Sequence, residues 1–367
     1  MFADELARYG PEAPQSKRPS RGRGRRYCRR LAKRHYENFT VANWLLPRGL
    51  RQHFCNVYAY CRWADDLADE TGDPRRSLDL LDWWEGQLHK CYAGQSHHPV
   101  FVALADTIRK FEIPSEPFVD LLVAFRQDQR VTRYENFDQL LEYCRYSANP
   151  VGRLVLYLGQ CHTPERVRLA DSICTGLQLA NFWQDVARDW DRGRIYLPQA
   201  DCRRFGYDES DFARRQCNGA FRRLLAAQVD QAEIHERIEE LYAHFAGWDA
   251  SARREHLGGF EKFGHAAVKP LVRVLESYRQ PDGAAEAYEL KACVAEQLGR
   301  LGDSRAVPYL IQHLGTSTDE AGAAAFRAAA VRAIWQLALA GDPREEIAAV
   351  QAWWDKSGRR RYDKLTL

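Results

Sequence analysis

The segment "ICTGLQLANFWQDVARDW", residues 173 to 190, restricts the possible folds more than any other stretch of this chain. It has helical length and helical residues, it is apolar on nearly every side, and a helix of that kind belongs inside a packed bundle. Yet Gln178, Asn181, Asp185 and Asp189 fall on one stripe of it at helical spacing. A carboxylate buried there without a partner costs several kcal/mol or takes up a proton, so two of them one turn apart call for cations. Those cations are either neighbouring arginines, with Arg188, Arg192 and Arg194 at hand, or metal ions.

A second acidic cluster lies upstream in "YCRWADDLADE", residues 60 to 70. Arg62, Asp65, Asp66 and Asp69 stand at i, i+3, i+4 and i+7, while Phe54, Val57, Cys61, Ala64 and Ala68 form a separate apolar stripe. Like charges at these spacings weaken a helix by roughly 0.2–0.5 kcal/mol per pair. Taken alone, the cluster reads as a solvated charged face. Two aspartate-rich helices in one helical domain read differently. Carboxylates do not bind a diphosphate directly, but they bind it through Mg²⁺, which takes oxygen ligands and uses one or two carboxylates together with substrate phosphates. Helices facing each other across a bundle present such ligands from opposite walls of one cavity.

The rest of the chain fits an all-α protein. Helices are predicted near 54–68, 78–92, 99–111, 115–127, 137–146, 151–160 and 168–190, with no apolar/polar alternation punctuated by hairpin turns. At 367 residues, 45% apolar and 28% charged, the chain is long enough for two domains. The ten cysteines show no C-x-x-C pair, so they read as reduced core residues of a cytoplasmic protein. No apolar run approaches the ~18 residues of a membrane span. Residues 17 to 34, "KRPSRGRGRRYCRRLAKR", hold ten Lys/Arg and no acid. They predict a flexible basic arm over residues 1–34, either simply solvated or drawn to anionic headgroups on the inner face of a membrane at ~1 kcal/mol per basic residue. No zinc finger or RNP-like motif supports nucleic acid as a partner.

The wording of these motifs resembles the squalene and phytoene synthase family of α-helical isoprenoid synthases. "YAYCRWADDLADE" and "QLANFWQDVARDWDRGRIYLP" match its two aspartate-rich motifs, with "HYENFTVANWLLP", "FRQDQRVTRY" and "YCRYSANPVGRLVLYLG" in support, over roughly residues 31 to 232. Within the family, the likeness is greatest to the bacterial hopanoid-pathway branch that converts presqualene diphosphate to hydroxysqualene. The resemblance implies that Asp65 and Asp69 are metal-bridging carboxylates with Asp66 beside them, and that Asn181, Asp185 and Asp189 ligate Mg²⁺ from the second motif. It makes Tyr58, Arg62 and Arg188 diphosphate contacts, and Tyr143 and Gln178 pocket-lining residues. Phe39, Trp44, Phe125 and Phe182 are candidates for an aromatic wall that shields a carbocation. Condensation of two farnesyl diphosphates to presqualene diphosphate or squalene is the alternative reaction. NADPH is not expected, since no G-x-G-x-x-G follows a strand.

After "FRRLLAAQVDQAE" the text changes character near Ile234, where the family would continue with helices that close one wall of its pocket. Val268, Leu271 and Leu275 recur at Val307, Leu310 and Leu314, and Ala292, Ala295, Leu298 and Gly302 recur at Val331, Ile334, Leu337 and Gly341. A period near forty residues made of helix pairs predicts a HEAT-like α-solenoid over 234–367, after a synthase-like domain over 35–233. Its first helices are expected to pack on the bundle, and its repeats to offer a surface to a protein partner. A scaffold that keeps the synthase helices without turnover is the reading from a different class; the intact aspartates argue for an enzyme.

Overall fold

The computed structural model describes residues 2–14, 18–34, 47–277, 284–315, 323–338 and 347–362. Among them every regular element is a helix, apart from an isolated parallel bridge between Arg133 and Ile195. No helix among the described residues is long and apolar enough to cross a membrane. The chain divides into two compact units, Met1–Leu225 and Ala226–Leu367.

The first unit is built around α3 (Arg48–Asp69), which packs against α2 (Arg21–Arg34), α4 (Pro74–Tyr92), α5 (Pro99–Phe111) and α6 (Glu116–Asp128). The largest fully buried side chains of α3 are Tyr60, Trp63 and Leu67, and Val57, Ala64 and Ala68 of the apolar row read in the sequence are buried beside them. Trp63 stacks on Trp84 at 5.2 Å between ring centroids. His98 stands edge-on to both rings, and burial pushes its imidazole down to about 3, so it is a neutral core residue. α7 (Phe137–Ser147), α8 (Asn149–Leu158) and α9 (Pro164–Gln184) continue the bundle. Thr163 caps α9 through its hydroxyl, and Asn136 caps α7 through its side-chain oxygen.

Two expectations fail here. The basic run is helical rather than a flexible arm. Tyr27, Cys28, Leu31 and Ala32 of α2 are buried, while Arg23, Arg26, Arg29, Arg30 and Lys33 face solvent. Burying Tyr27 and Leu31 contributes about 1.5–3 kcal/mol each, enough to outweigh like-charge repulsion on the outer face. Gly24 permits the approach, because a Cβ there would lie 2.7 Å from the Pro99 carbonyl oxygen. The short α1 (Phe2–Tyr9) is fastened to the same helix: the Tyr27 hydroxyl donates to Glu5 at 3.0 Å and accepts from the Trp63 indole at 2.9 Å.

The second failure concerns α9. Only Thr175, Leu179 and Phe182 of it are buried. α7 and α8 cover one side, and Ile173 and Leu177 on another are 63% and 61% exposed.

The second unit is a run of paired helices whose core includes the predicted repeat positions Val268, Leu271, Leu275, Val307, Leu310 and Leu314, all buried. α13 (Gly219–His244) contributes Ile234, Ile238 and Leu241 to this core. The repeat's Gly302 has φ +73°, a conformation glycine adopts without strain, and it ends α16 (Ala284–Leu301). Asp303 then bonds the Arg305 amide at 3.0 Å and His265 Nδ1 at 2.9 Å, which explains the aspartate of the G-D-x-R-A-V-P motif. Gly341 lies outside the described residues.

Candidate active site

The first aspartate motif occupies the last two turns of α3. Arg62 sits between Asp65 and Asp66, with Nη1 3.1 Å from Asp65 and Nη2 bonded to the buried Asp66 carboxylate. Tyr58, one turn earlier, is half-buried; burial pushes its phenol up, and Arg62 opposes the change. Asp69 faces away from this pair towards the second motif. Its Oδ1 accepts from Arg194 at 3.0 Å, and Arg192 lies 3.9 Å from its Oδ2.

The second motif is not one unbroken helix. α9 ends at Gln184, Asp185 forms its C-cap, and α10 (Val186–Asp191) carries on with Asp189. The Asp189 amide donates to the Asp185 carbonyl at 2.8 Å, so helical spacing survives the break. Arg188 lies 3.9 Å from Asp185. Asn181 is exposed and Gln178 half-buried. The two motifs meet through Arg192 and Arg194, which act on Asp69, Asp128 and Asp189 together.

Asp128 belongs to this cluster and was not singled out in the sequence, although it stands in the "FRQDQRVTRY" stretch. It ends α6, its carboxylate accepts from the Tyr143 hydroxyl, and Arg194 attracts it while Asp69 and Asp65 repel it. Burial, with like charge adding to it, pushes the Asp65, Asp128 and Asp189 carboxyls up to about 6. Three carboxyls displaced in the same direction, by burial first and by like charge second, mark a site where ionising the aspartates is costly even with the arginines in place.

Tyr143 and Phe182 form one aromatic wall with Tyr134 and Tyr196. Phe182 stacks on Tyr196 at 3.9 Å, and Tyr134 and Tyr143 each lie 5.8 Å from the Tyr196 ring. Phe125 packs into the bundle core, and Phe39 and Trp44 lie outside the described residues. A cleft of about 360 Å³ opens at the end of α3, lined by Asp69, Thr71, Ser77, Gln129, Arg192 and Arg194.

Among the described residues no three His, Cys, Asp or Glu side chains converge closely enough to hold a metal unaided. The donors do fit a hard cation that arrives with a diphosphate. They are all oxygen, they sit on separate helices, and such a cation needs only one or two carboxylates each. Asp65, Asp69, Asn181, Asp185 and Asp189 are the residues that would hold it.

The sequence profile of the squalene/phytoene synthases matches residues 32–251, and that of the PBS lyase HEAT-like repeat matches residues 294–316. The synthase match therefore runs past Glu233. The chain is 32% identical over 226 residues to a phytoene synthase of Arthrospira platensis, covering 58% of this chain and 73% of the relative. It is 30% identical over 237 residues to the 15-cis-phytoene synthase of Synechococcus elongatus, covering 60% and 77%. Among solved structures, squalene synthase HpnC from Alicyclobacillus acidocaldarius matches with a TM-score of 0.55 at 44% identity, over 61% of this chain and 84% of that one. A dehydrosqualene synthase in complex with ligand matches with a TM-score of 0.53 at 26% identity, over 77% and 97%.

Proposed function

Because this chain belongs to the squalene/phytoene synthase family, whose members are transferases acting on prenyl diphosphates, we propose that it ionises presqualene diphosphate and releases hydroxysqualene. The observation that carries the reading is the meeting of the two aspartate motifs: Asp69 and Asp189, from separate helices, share Arg192 and Arg194 beside an open cleft. The 44% identity to the squalene synthase HpnC, against 30–32% to the phytoene synthases, supports a squalene-type over a phytoene-type branch, and the wording of the first aspartate motif supports presqualene diphosphate as the substrate.

Cleavage of the carbon–oxygen bond leaves its electron pair on the diphosphate. Arg62, Arg188, Arg192 and Arg194 supply charge for that leaving group, and Mg²⁺ when bound adds Lewis-acid neutralisation of the same anion. Tyr134, Tyr143, Phe182 and Tyr196 form the aromatic wall against which a cation is stabilised until water adds and loses a proton. Water replaces diphosphate with no change in oxidation level, so the reaction draws on no NADPH. Five of the eight exposed cations of α2, Arg23, Arg26, Arg29, Arg30 and Lys33, have no acidic partner among the described residues and fit an anionic lipid surface from which so apolar a substrate is drawn.

The test is mass spectrometry of lipid products after incubating the protein with Mg²⁺ and either presqualene or farnesyl diphosphate. Hydroxysqualene from the first substrate is expected. Presqualene diphosphate or squalene made from farnesyl diphosphate would transfer the chain to the condensing branch, and no product from either would favour a scaffold.

A further inference from the structure

The second unit carries a cleft, apolar over most of its surface and edged by charged side chains, that the proposed catalysis does not use. α14 (Ala250–Gly258) and α16 form its walls, with Arg253 and Arg254 on one and Glu289, Glu296, Gln297 and Arg300 on the other. Its volume is about 210 Å³. That is below the roughly 300–1,000 Å³ of small-molecule sites and closer to the size of one side chain with its peptide unit.

Most of the lining is already committed. Arg253 pairs with Glu289, donates from Nε to the Phe245 carbonyl at 3.1 Å and lies 4.3 Å over the Phe245 ring. Glu296 accepts from Arg332 at 2.8 Å. Arg253 thus balances Glu289, and Arg332 balances Glu296. Arg254 and Arg300 have no acidic partner among the described residues, so the cleft carries uncompensated positive charge.

Gln297 sets the chemistry more narrowly. It is 1% exposed, lines the cleft, and neither its amide oxygen nor its amide nitrogen has a hydrogen-bond partner among the described residues. A buried carboxamide with both functions unmet forfeits the desolvation of each. The group that satisfies both together is one residue of an extended main chain, whose N–H and C=O point to the same side. A lipid phosphodiester offers acceptors only and would leave the Gln297 oxygen unmet.

We propose that this cleft binds an extended acidic segment of a partner protein, Gln297 bonding its main chain while Arg254 and Arg300 take its carboxylates. The helix-pair architecture suits that use, since stacked repeats present extended surfaces. This inference stands independently of which prenyl diphosphate the first unit consumes.

The test uses fluorescein-labelled hexaglutamate titrated with the full chain and followed by anisotropy, with hexalysine as the control. Binding is expected for hexaglutamate alone. It should weaken at least tenfold in the Arg254→Glu/Arg300→Glu variant, and several-fold in Gln297→Leu with thermal stability kept or raised. Saturating hexaglutamate should also slow alkylation of Cys293, which lines the same cleft. Undiminished affinity in the arginine variant would assign the peptide to the basic α2 surface instead and overturn the proposal. Full displacement by millimolar inorganic phosphate, with Gln297→Leu unchanged, would reduce the cleft to an anion site and overturn it equally.

Discussion

Asp128→Asn should stabilise the metal-free protein, and by an amount that depends on pH. Burial and the neighbouring Asp69 and Asp65 raise this carboxyl from 3.8 to about 6, with Arg194 and the Tyr143 hydroxyl opposing the rise. Below pH 3.8 the group is protonated in folded and unfolded chains alike and costs nothing. As pH rises towards 6 the unfolded chain ionises it first, so stability falls through that window and stays reduced above it. Holding the proton that much more tightly in the folded chain costs about 3 kcal/mol at pH 7.5 and about half that at pH 5. Asparagine keeps the shape and the bond from Tyr143 but carries no charge, so it recovers that stability. For a unit of this size the gain reads as roughly 6–12 °C in Tm at pH 7.5, and about half as much at pH 5. Melting curves of both proteins in chelator at the two pH values decide the matter. A gain equal at pH 5 and 7.5, or a loss at pH 7.5, would refute the electrostatic account of this cluster.

Asp65→Asn and Asp185→Asn should each lower kcat by at least ~10²-fold with far-UV circular dichroism unchanged, since each removes charge stabilisation of the departing diphosphate; near-normal turnover in Asp185→Asn would remove that residue from the machinery. Arg26→Glu/Arg30→Glu should weaken sedimentation with anionic vesicles at least tenfold, by ~1 kcal/mol per basic residue, and only at low salt. Unaltered vesicle binding would show that α2 does not meet lipid. A fragment ending at Glu233 should be insoluble or inactive. The cut falls inside α13 and discards Ile234, Ile238 and Leu241, all buried. A soluble and fully active 1–233 fragment would show that the repeats contribute nothing to the catalytic unit.

Helix positions were legible because apolar side chains recur every 3.6 residues whatever surrounds them. Predicted helices at 78–92, 99–111 and 137–146 correspond to Pro74–Tyr92, Pro99–Phe111 and Phe137–Ser147. Burial was less legible, because periodicity reports which side chains share a face and not whether anything covers it. Ile173 and Leu177 made α9 read as an interior helix, yet they are mostly exposed. In α2 the error ran the other way. Ten basic residues masked a stripe, Tyr27, Cys28 and Leu31, that packs normally once Gly24 lets the backbones approach. The repeat positions were read correctly because nearest-neighbour stacking makes solenoid burial a local property of sequence.

The site was legible as residue types and not as partnerships. Both aspartate motifs and Tyr143 could be named from the sequence, whereas the tie between Asp69 and Arg194 spans 125 positions and only folding creates it. Arg192 and Arg194 are the neighbouring cations that the buried-carboxylate argument calls for, and on the proposed function they and a metal would act on the same aspartates. Arg192 and Arg194 beside Asp69 offset part of the cost that burial and like charge impose on the carboxyls of this cluster. On the proposed function, an arriving diphosphate would compete with Asp69 for those same arginines and leave the carboxylates less compensated for the cation that accompanies it. On that reading the clustered aspartates that weaken the end of α3 are groups held in reserve for the cation, tolerable because Arg62, Arg192 and Arg194 stand beside them.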